Sequence, residues 1–157
     1  MDNQHATPTD AEIGYLAAMF DGEGYVGLQR AVHRKRFIGY HARIGISNTD
    51  SNIIEKVQQI WNKLGINPHI YEKPSTVNPF RKVCMYIEVL KLSLIKETLE
   101  AVLPHLAGKR ARAVMLLKFI NNEIDRDKAY ENLKELNKKG RPGEPSETTR
   151  EAPALAG

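Results

Sequence analysis

The stretch "LAAMFDGEG", residues 16–24, joins an apolar segment to two acids that lie between glycines. The apolar residues in and before it recur at helical spacing: Ile13, Leu16, Ala17 and Phe20. A helix is therefore predicted to start near Thr9 or Asp10, either of which is a good N-cap, and to end at Gly24. Asp21 and Glu23 then lie at its carbonyl end, where the helix dipole disfavours negative charge. This arrangement indicates either a cation-binding site or an ordinary acidic turn.

Composition is that of a globular protein of one domain, with 157 residues, 41% hydrophobic and 27% charged. The lone Cys84 excludes an internal disulfide and a cysteine-based zinc site. No apolar run approaches the roughly 18 residues of a membrane helix, and the polar, acidic N-terminus is unlike a signal peptide. We expect an intracellular protein without a membrane partner, in the cytoplasm or an organellar matrix.

Positive charge is concentrated in the middle of the chain. Residues 25–90 hold ten Lys and Arg against four acids, whereas the net charge of the whole chain is +4. A basic central region favours a polyanionic partner. The alternative is a solvated surface that is rich in lysine.

The order of predicted elements indicates an α+β fold with antiparallel hairpins. Strands are expected at 25–32 and 40–47, joined by a basic connection at 33–39, and again at 66–73 and 80–90. Helices are expected at 50–64, with Asp50 as cap, and at 91–103, 107–123 and 127–139. We divide the chain into a flexible N-terminus (1–8), a main domain (9–124), an accessory helix (125–139) and a disordered tail (140–157).

Alternation along the predicted strands places hydrogen-bonding side chains on one face of the sheet. The residues of this face are Tyr25, Gln29, His33, His41, Arg43, Ser47, His69, Tyr71, Lys73, Lys82, Tyr86 and Glu88. Arg43 and Gln29 carry the groups that recognise guanine and adenine edges. The basic connection supplies three more cations that suit phosphates: Arg34, Lys35 and Arg36. For each residue the alternative is an ordinary solvated surface.

The quoted stretch resembles the nine-residue signature of the LAGLIDADG homing endonucleases. Four positions are identical: Leu16, Ala17, Asp21 and Gly24. Glu23 replaces the second Asp with another carboxylate, Ala18 replaces Gly, Gly22 replaces Ala, and Met19 and Phe20 occupy apolar positions. The helix and strand order agrees, and "LPHLAGKRARAVMLLKFI", residues 103–120, is similar to the late lysine-bearing segment of the family. The resemblance covers roughly residues 10–122.

The resemblance implies an αββαββα fold whose curved antiparallel sheet forms a saddle for double-stranded DNA. It also implies a metal-dependent endonuclease that hydrolyses phosphodiesters at a long site, with Mg²⁺ as cofactor and Mn²⁺ or Ca²⁺ able to occupy its place. Glu23 is expected to be the metal-binding carboxylate, the Gly22 carbonyl a second ligand, and Asp21 a neighbour with a more structural role. Intron-encoded and free-standing genes both remain open.

Two further residues receive catalytic roles from the resemblance. Lys109 corresponds to the basic residue of the active site, where a cation stabilises charge on the phosphate. The alternative is an ordinary lysine at a helix N-terminus, beside Arg110 and Arg112. Asn48 is expected to orient the attacking water, although Thr49 or Asp50 can fill that role within the uncertainty of the register. Asp50 is better explained as a helix cap.

A single motif implies a homodimer and a nearly palindromic target. The motif helix is expected to supply the dimer interface through Ile13, Leu16, Ala17, Ala18 and Phe20. Two other functions remain open for this fold, a DNA-binding regulator that has lost cleavage and an RNA-splicing maturase, for which RNA would be the partner.

Overall fold

The computed structural model of the chain describes residues 6–74 and 78–139. Helix α1 spans Asp10–Glu23 and begins in a capping box. The Thr9 hydroxyl accepts from the Glu12 N–H, and the Glu12 carboxylate accepts from the Thr9 N–H. Gly24 ends the helix, and a Cβ at this position would lie 2.6 Å from the Phe20 Cα. Only glycine fits this close helix-to-strand junction, which explains the last residue of the motif.

One four-stranded antiparallel sheet follows α1, with the strand order β1-β2-β4-β3. The strands are β1 (Gly24–His33), β2 (Arg36–Asn48), β3 (His69–Lys73) and β4 (Cys84–Val89), and helix α2 (Ser51–Lys63) connects β2 to β3. Apolar side chains of neighbouring strands form rows on one face. The first row is Val26, Ile44 and Val89, and the second is Ile46, Ile87 and Ile70.

Helices cover the apolar face of the sheet. After β4 the chain forms α3 (Leu92–Val102), a 3₁₀ turn (Leu103–His105), α4 (Arg110–Ile120) and α5 (Arg126–Lys139). In the core, the rings of Phe20 and Trp61 meet edge to face at 5.8 Å, and Trp61 Nε1 donates to Thr98 Oγ1 at 3.0 Å. The observed architecture confirms the predicted α+β fold.

Helix α5 packs against α4 and against the edge strand β1. Its residues Ala129 and Leu133 are buried in the same core as α1 and the sheet. On its outer side the ring of Tyr130 stacks on Tyr40 of β2 at 5.1 Å, and the Tyr40 hydroxyl donates to Asp127. This last contact raises the pKa of Tyr40 to about 12.

The structure corrects the predicted connection between the first two strands. Instead of a loop over 33–39, β1 and β2 continue to a two-residue turn at Arg34 and Lys35, whose φ angles are 47° and 63°. A turn with two positive φ angles matches the twist of a hairpin, but the usual Asn-Gly signal is absent here. The expected alternation is also wrong near this turn, because Val32 is 58% exposed and Ala31 is buried, with a register shift between them.

Two further predictions need correction. Strand β4 begins at Cys84, so Lys82 lies in the exposed loop before it and not on the sheet. Of the five residues predicted for a dimer interface, four are buried in the core of the single chain: Ile13, Leu16, Ala17 and Phe20. Leu16, Ala17 and Phe20 are completely buried and Ile13 is 9% exposed, so only Ala18 of the set is exposed.

The N-terminal residues 1–5 and the predicted tail at 140–157 lie outside the described residues. Within the part that the structure describes, no helix is both long and apolar enough to cross a membrane.

Candidate nucleic-acid interface and catalytic centre

The predicted polar face exists as a continuous surface across all four strands. Strand register places Tyr25, Gly45, Glu88 and His69 in one row and Ser47, Tyr86 and Tyr71 in the next. Other polar residues extend this face beyond the two rows: Gln29, His41, Arg43 and Lys73. Thus ten of the twelve residues predicted from alternation share one face, the exceptions being His33 beside the hairpin turn and Lys82 in the loop. Arg34, Lys35 and Arg36 are exposed at the hairpin tip.

Aromatic rings line the outer half of this polar face. Tyr71 and Tyr86 are stacked with their centroids 5.1 Å apart and their planes 7° apart, and His69 stacks on Tyr71 at 5.5 Å. The Lys73 ammonium lies 5.3 Å from the centre of the Tyr86 ring. These contacts hold the side chains of the two short strands in fixed positions.

A groove of about 580 Å³ lies between the polar face of the sheet and the ends of α4 and α5. Its lining includes four cations, Arg43, Lys73, Lys109 and Arg112, and no acid among the described residues that line it. Asn137 of α5 closes one side of the groove. Arg43 is paired with Glu88 at 2.6 Å, so the net positive charge comes from Lys73, Lys109 and Arg112. A concave surface with this charge attracts an anionic ligand.

Asp21 fastens the end of α1 to the start of α4. Its two carboxylate oxygens accept from the backbone N–H groups of Ala107 and Lys109, both at 2.9 Å. Lys109 is the N-cap of α4 and Ala107 lies two residues before it, so neither N–H group has a partner within the helix. The expected structural role of Asp21 therefore has a physical basis in these two bonds.

Lys109 brings a positive charge to the same helix end. Its Nζ donates to the backbone carbonyl of Asp21 at 2.8 Å, and the residue is 9% exposed. Burial lowers the pKa of Lys109 and the nearby Arg112 adds to this effect, whereas the charges of Asp21 and Glu23 oppose it. Since α1 has no basic residue in its own last turn, Lys109 supplies the cation that offsets the carbonyl end of its dipole.

Glu23, the last residue of α1, is exposed and has no hydrogen bond or ion pair within residues 6–74 and 78–139. Gly22 beside it is also exposed, with open space where a Cβ would lie. The last carbonyls of a helix lack intrahelical partners, so the helix end offers hard oxygen donors beside the carboxylate.

The described residues contain no group of three or more His, Cys, Asp or Glu side chains that could hold a metal ion. Mg²⁺, however, is commonly bound through one or two carboxylates, water and substrate phosphates. The Glu23 carboxylate and the Gly22 carbonyl fit that kind of partial site, which external ligands would complete.

Asn48, the third predicted catalytic side chain, lies at the same end of the sheet. Because Ile46 pairs with Gly24, Asn48 lies two residues beyond the start of β1, on the side of Glu23. Its Oδ1 accepts from the Asp50 N–H at 2.8 Å, which leaves its amide N–H groups as donors. Asp50 itself caps α2 by accepting from the Asn52 N–H at 2.9 Å. Thr49 lies between them and is exposed.

The outward face of α1 carries three small residues, of which only Ala18 was predicted to lie at an interface. Gly14, Ala18 and Gly22 follow one another at intervals of four, which places them on one side of the helix. Ala18 and Gly22 are exposed, and nothing lies within 4 Å of the position that a Cβ would take at Gly14 or Gly22. The four-residue interval of these small residues can be read from the sequence. The prediction instead used the larger apolar stripe beside it, formed by Ile13, Leu16, Ala17 and Phe20.

Arg112 and Asn137 of the groove were also missed as candidate site residues. Arg112 follows Lys109 by three residues, a spacing that brings two side chains to one side of a helix, so a signal existed. Asn137 had none, because its position beside Gly27 depends on how α5 packs against β1.

Comparisons with known structures identify several homing endonucleases with the same fold. I-CvuI bound to its target in the presence of Ca superimposes with a TM-score of 0.60 and 18% identity, over 82% of this chain and 79% of that one. The same protein in the presence of Mg, with DNA not cleaved, has a TM-score of 0.59 and 20% identity, over 82% of this chain and 94% of that one. The archaeal intron-encoded I-Vdi141I complexed with DNA has a TM-score of 0.62 and 17% identity, over 86% of this chain and 87% of that one.

A longer homing endonuclease matches in only part of its length. I-GzeII in complex with its DNA target has a TM-score of 0.57 and 14% identity, over 91% of this chain and 49% of that one. The comparison with curated proteins finds no match. The LAGLIDADG-like domain family matches residues 10–102, more than half of the sequence. This chain therefore belongs to the LAGLIDADG-like domain family.

Proposed function

We propose that this protein is a site-specific DNA endonuclease of the homing type that hydrolyses phosphodiester bonds with the help of a divalent cation. The observation that carries the proposal is Glu23, exposed and without a partner in the described chain, at the end of the motif helix beside Lys109 and the cationic groove. A binding domain of this family has no need for a free carboxylate at that position. The structures of I-CvuI and I-Vdi141I with DNA support the choice of ligand.

The polar face of the sheet is the proposed DNA-binding surface. The Arg, Gln, Tyr, His and Lys side chains of this face present hydrogen-bond donors and acceptors that suit a groove of the duplex. The exposed hairpin tip at Arg34, Lys35 and Arg36 is proposed to contact phosphates, and Lys82 in its loop has the same role. Binding should therefore weaken steeply with added salt.

At the end of α1, each residue receives a distinct role. Glu23 and the Gly22 carbonyl would hold the cation, which when bound would supply Lewis-acid stabilisation of the phosphate and activation of a water. Lys109, held by the Asp21 carbonyl, places its ammonium where negative charge develops on the phosphate. Asn48 donates hydrogen bonds that orient the attacking water, while Asp21 holds the helix ends together.

We also propose that two copies form the active enzyme. One chain supplies one Glu23, whereas cutting both strands requires two centres. The match to 49% of I-GzeII is consistent with a chain that represents half of a complete enzyme. The small exposed residues Gly14, Ala18 and Gly22 allow two α1 helices to approach closely. Two-fold symmetry would then require a nearly palindromic target.

The test uses the purified protein and its Glu23→Gln variant with Mg²⁺ and a randomised duplex library, followed by sequencing of bound and of cut molecules. We expect the wild type to cut a nearly palindromic site and the variant to bind that site without cutting it. If both proteins bind one site and neither cuts, the protein is a binding regulator. If the wild type selects no duplex at all, the DNA-binding proposal fails.

A further inference from the structure

Glu88 is an acid in the centre of a surface proposed to face DNA, and it is 4% exposed. It lies on the inner strand β4, in the row with Tyr25, Gly45 and His69. A carboxylate repels phosphates and cannot reach a base edge while other side chains cover it. Its place on this face therefore needs an explanation other than contact with DNA.

Two donors from two neighbouring strands converge on the same oxygen of Glu88. Arg43 Nη2 donates to Oε2 at 2.6 Å, and the Tyr25 hydroxyl also donates to Oε2. Tyr25 reaches across β2 because residue 45 is glycine, since a Cβ there would lie 2.3 Å from the Tyr25 hydroxyl oxygen. Burial alone raises the pKa of Glu88, but the bonds from Tyr25 and Arg43 outweigh it and the net shift is downward, so the carboxyl is ionised at neutral pH.

Arg43 is held on two sides by these contacts. Its Nη1 donates to Gln29 Oε1 at 3.2 Å, and its guanidinium carbon lies 5.7 Å from the centre of the Tyr25 ring. Its Nε is buried without a partner among the described residues, which indicates that Glu88 and Gln29 set the orientation of the guanidinium. The side chain is 35% exposed on the groove, and five N–H donors leave it able to bind a further acceptor.

We propose that Glu88 is a positioning residue that fixes Arg43, and through it Gln29, in the orientation that recognises a base pair. This inference rests on the DNA-binding function proposed above. A fixed arginine loses less conformational freedom on binding than a mobile one, so its contact discriminates more sharply. Because Glu88 also neutralises Arg43, the pair adds to sequence discrimination and little to general attraction for phosphates.

The test compares wild type with Glu88→Gln, which keeps the shape and an acceptor but removes the charge. Binding is measured to the duplex that the wild type selects, to versions with each base pair replaced singly, and to a random duplex. We expect discrimination to fall about tenfold at one or two base pairs of each half-site and to stay constant elsewhere. Affinity for random DNA should be equal or higher, because one negative charge is gone.

Two controls isolate the route through Arg43. Arg43→Ala should lose discrimination at the same base pairs, and adding Glu88→Gln to it should change nothing more. Glu72→Gln removes an exposed acid from β3 and should leave the discrimination profile unchanged. If Glu88→Gln fails to fold, Tyr25→Phe removes one of the two donors to Oε2 and should give a smaller loss at the same positions.

An unchanged profile in Glu88→Gln, or equal weakening on every sequence, would overturn the positioning role and leave the proposed function standing. A loss of discrimination at base pairs that Arg43→Ala does not affect would overturn the positioning role as well. A wild type that binds no duplex would overturn the proposed function itself, and the inference with it.

Discussion

The two acids of the motif have different surroundings, although only one residue separates them. Asp21 accepts two backbone hydrogen bonds from the start of α4, whereas Glu23 is exposed and unpartnered within the described chain. The penalty of an acid at a helix carbonyl end is thus offset for Asp21 by these bonds and by Lys109. For Glu23 no hydrogen bond within the described residues offsets it, and a bound cation is the proposed compensation.

This difference predicts opposite effects of two neighbouring substitutions on stability. Asp21→Ala leaves the N–H groups of Ala107 and Lys109 without an acceptor and should lower the free energy of unfolding by about 1–2 kcal/mol. Glu23→Ala removes no contact and should change it by less than about 0.5 kcal/mol. Urea unfolding of both variants measures the difference, and equal losses would contradict the role given to Asp21.

Glu88 predicts a pH dependence of stability. Its pKa is lowered in the folded state by the bonds from Tyr25 and Arg43, which outweigh the opposing effect of burial. A depressed carboxyl pKa contributes stability above the unfolded value, about 4.3, and this contribution is lost as pH falls through the folded pKa. The stability difference between wild type and Glu88→Gln should therefore shrink between pH 7 and pH 3. A difference that stays constant over this range would show that the pKa of Glu88 is the same in the folded and unfolded states.

At the scale of elements, helix α5 lies beyond the residues that match the family, yet it shares the core of the domain. Leu133 and Ala129 are buried against α4 and the sheet, while Tyr130 and Asp127 contact Tyr40 of β2. The helix also brings Asn137 to the edge of the groove. Its packing therefore links the stability of the domain to the shape of the proposed DNA surface.

Truncation of a buried side chain tests this link. Leu133→Ala should lower the free energy of unfolding by about 2–5 kcal/mol, because it leaves a cavity between α5 and the rest of the core. Lys134→Ala, on the exposed side of the same helix, is the matched control and should have little effect. A small loss for Leu133→Ala, measured by chemical denaturation, would mean that α5 is only loosely attached.

At the scale of the whole molecule, α1 is apolar or small on two sides. One side is filled by the core of its own chain, and the other presents Gly14, Ala18 and Gly22. A helix with apolar character on both sides buries the second against a further element. In the proposed dimer, a second copy of the same helix covers this surface and brings two Glu23 residues close together.

The assembly predicts that Ala18→Trp gives a folded monomer. The bulky ring cannot fit between two closely packed helices, but it meets only solvent in the single chain because Ala18 is exposed. Sedimentation analysis should show a dimer for wild type and a monomer for the variant, with unchanged circular dichroism. Ala111→Trp, an equally exposed site on α4, should remain dimeric. A monomeric wild type would contradict the proposed assembly.

Local features of the sequence determined the elements and the face of each strand. The capping box at Thr9, the cap at Asp50 and the alternation in β1, β2 and β4 act between residues a few positions apart. Patterns of this range can be recognised without a structure. They placed Glu23 at a helix end, Lys109 at the start of the late helix and Arg43 on the polar face.

Only the tertiary structure decided which of these groups act together. Contacts between distant parts of the chain join Asp21 to residues 107 and 109, and Lys109 to the Asp21 carbonyl. Such contacts also bring the Tyr25 hydroxyl across Gly45 to Glu88. The same holds for the core side of α1, where four residues predicted for an interface are buried within one chain. A helix with two apolar sides does not specify by its own sequence which side meets the sheet, since that choice is made by the packing of the whole core.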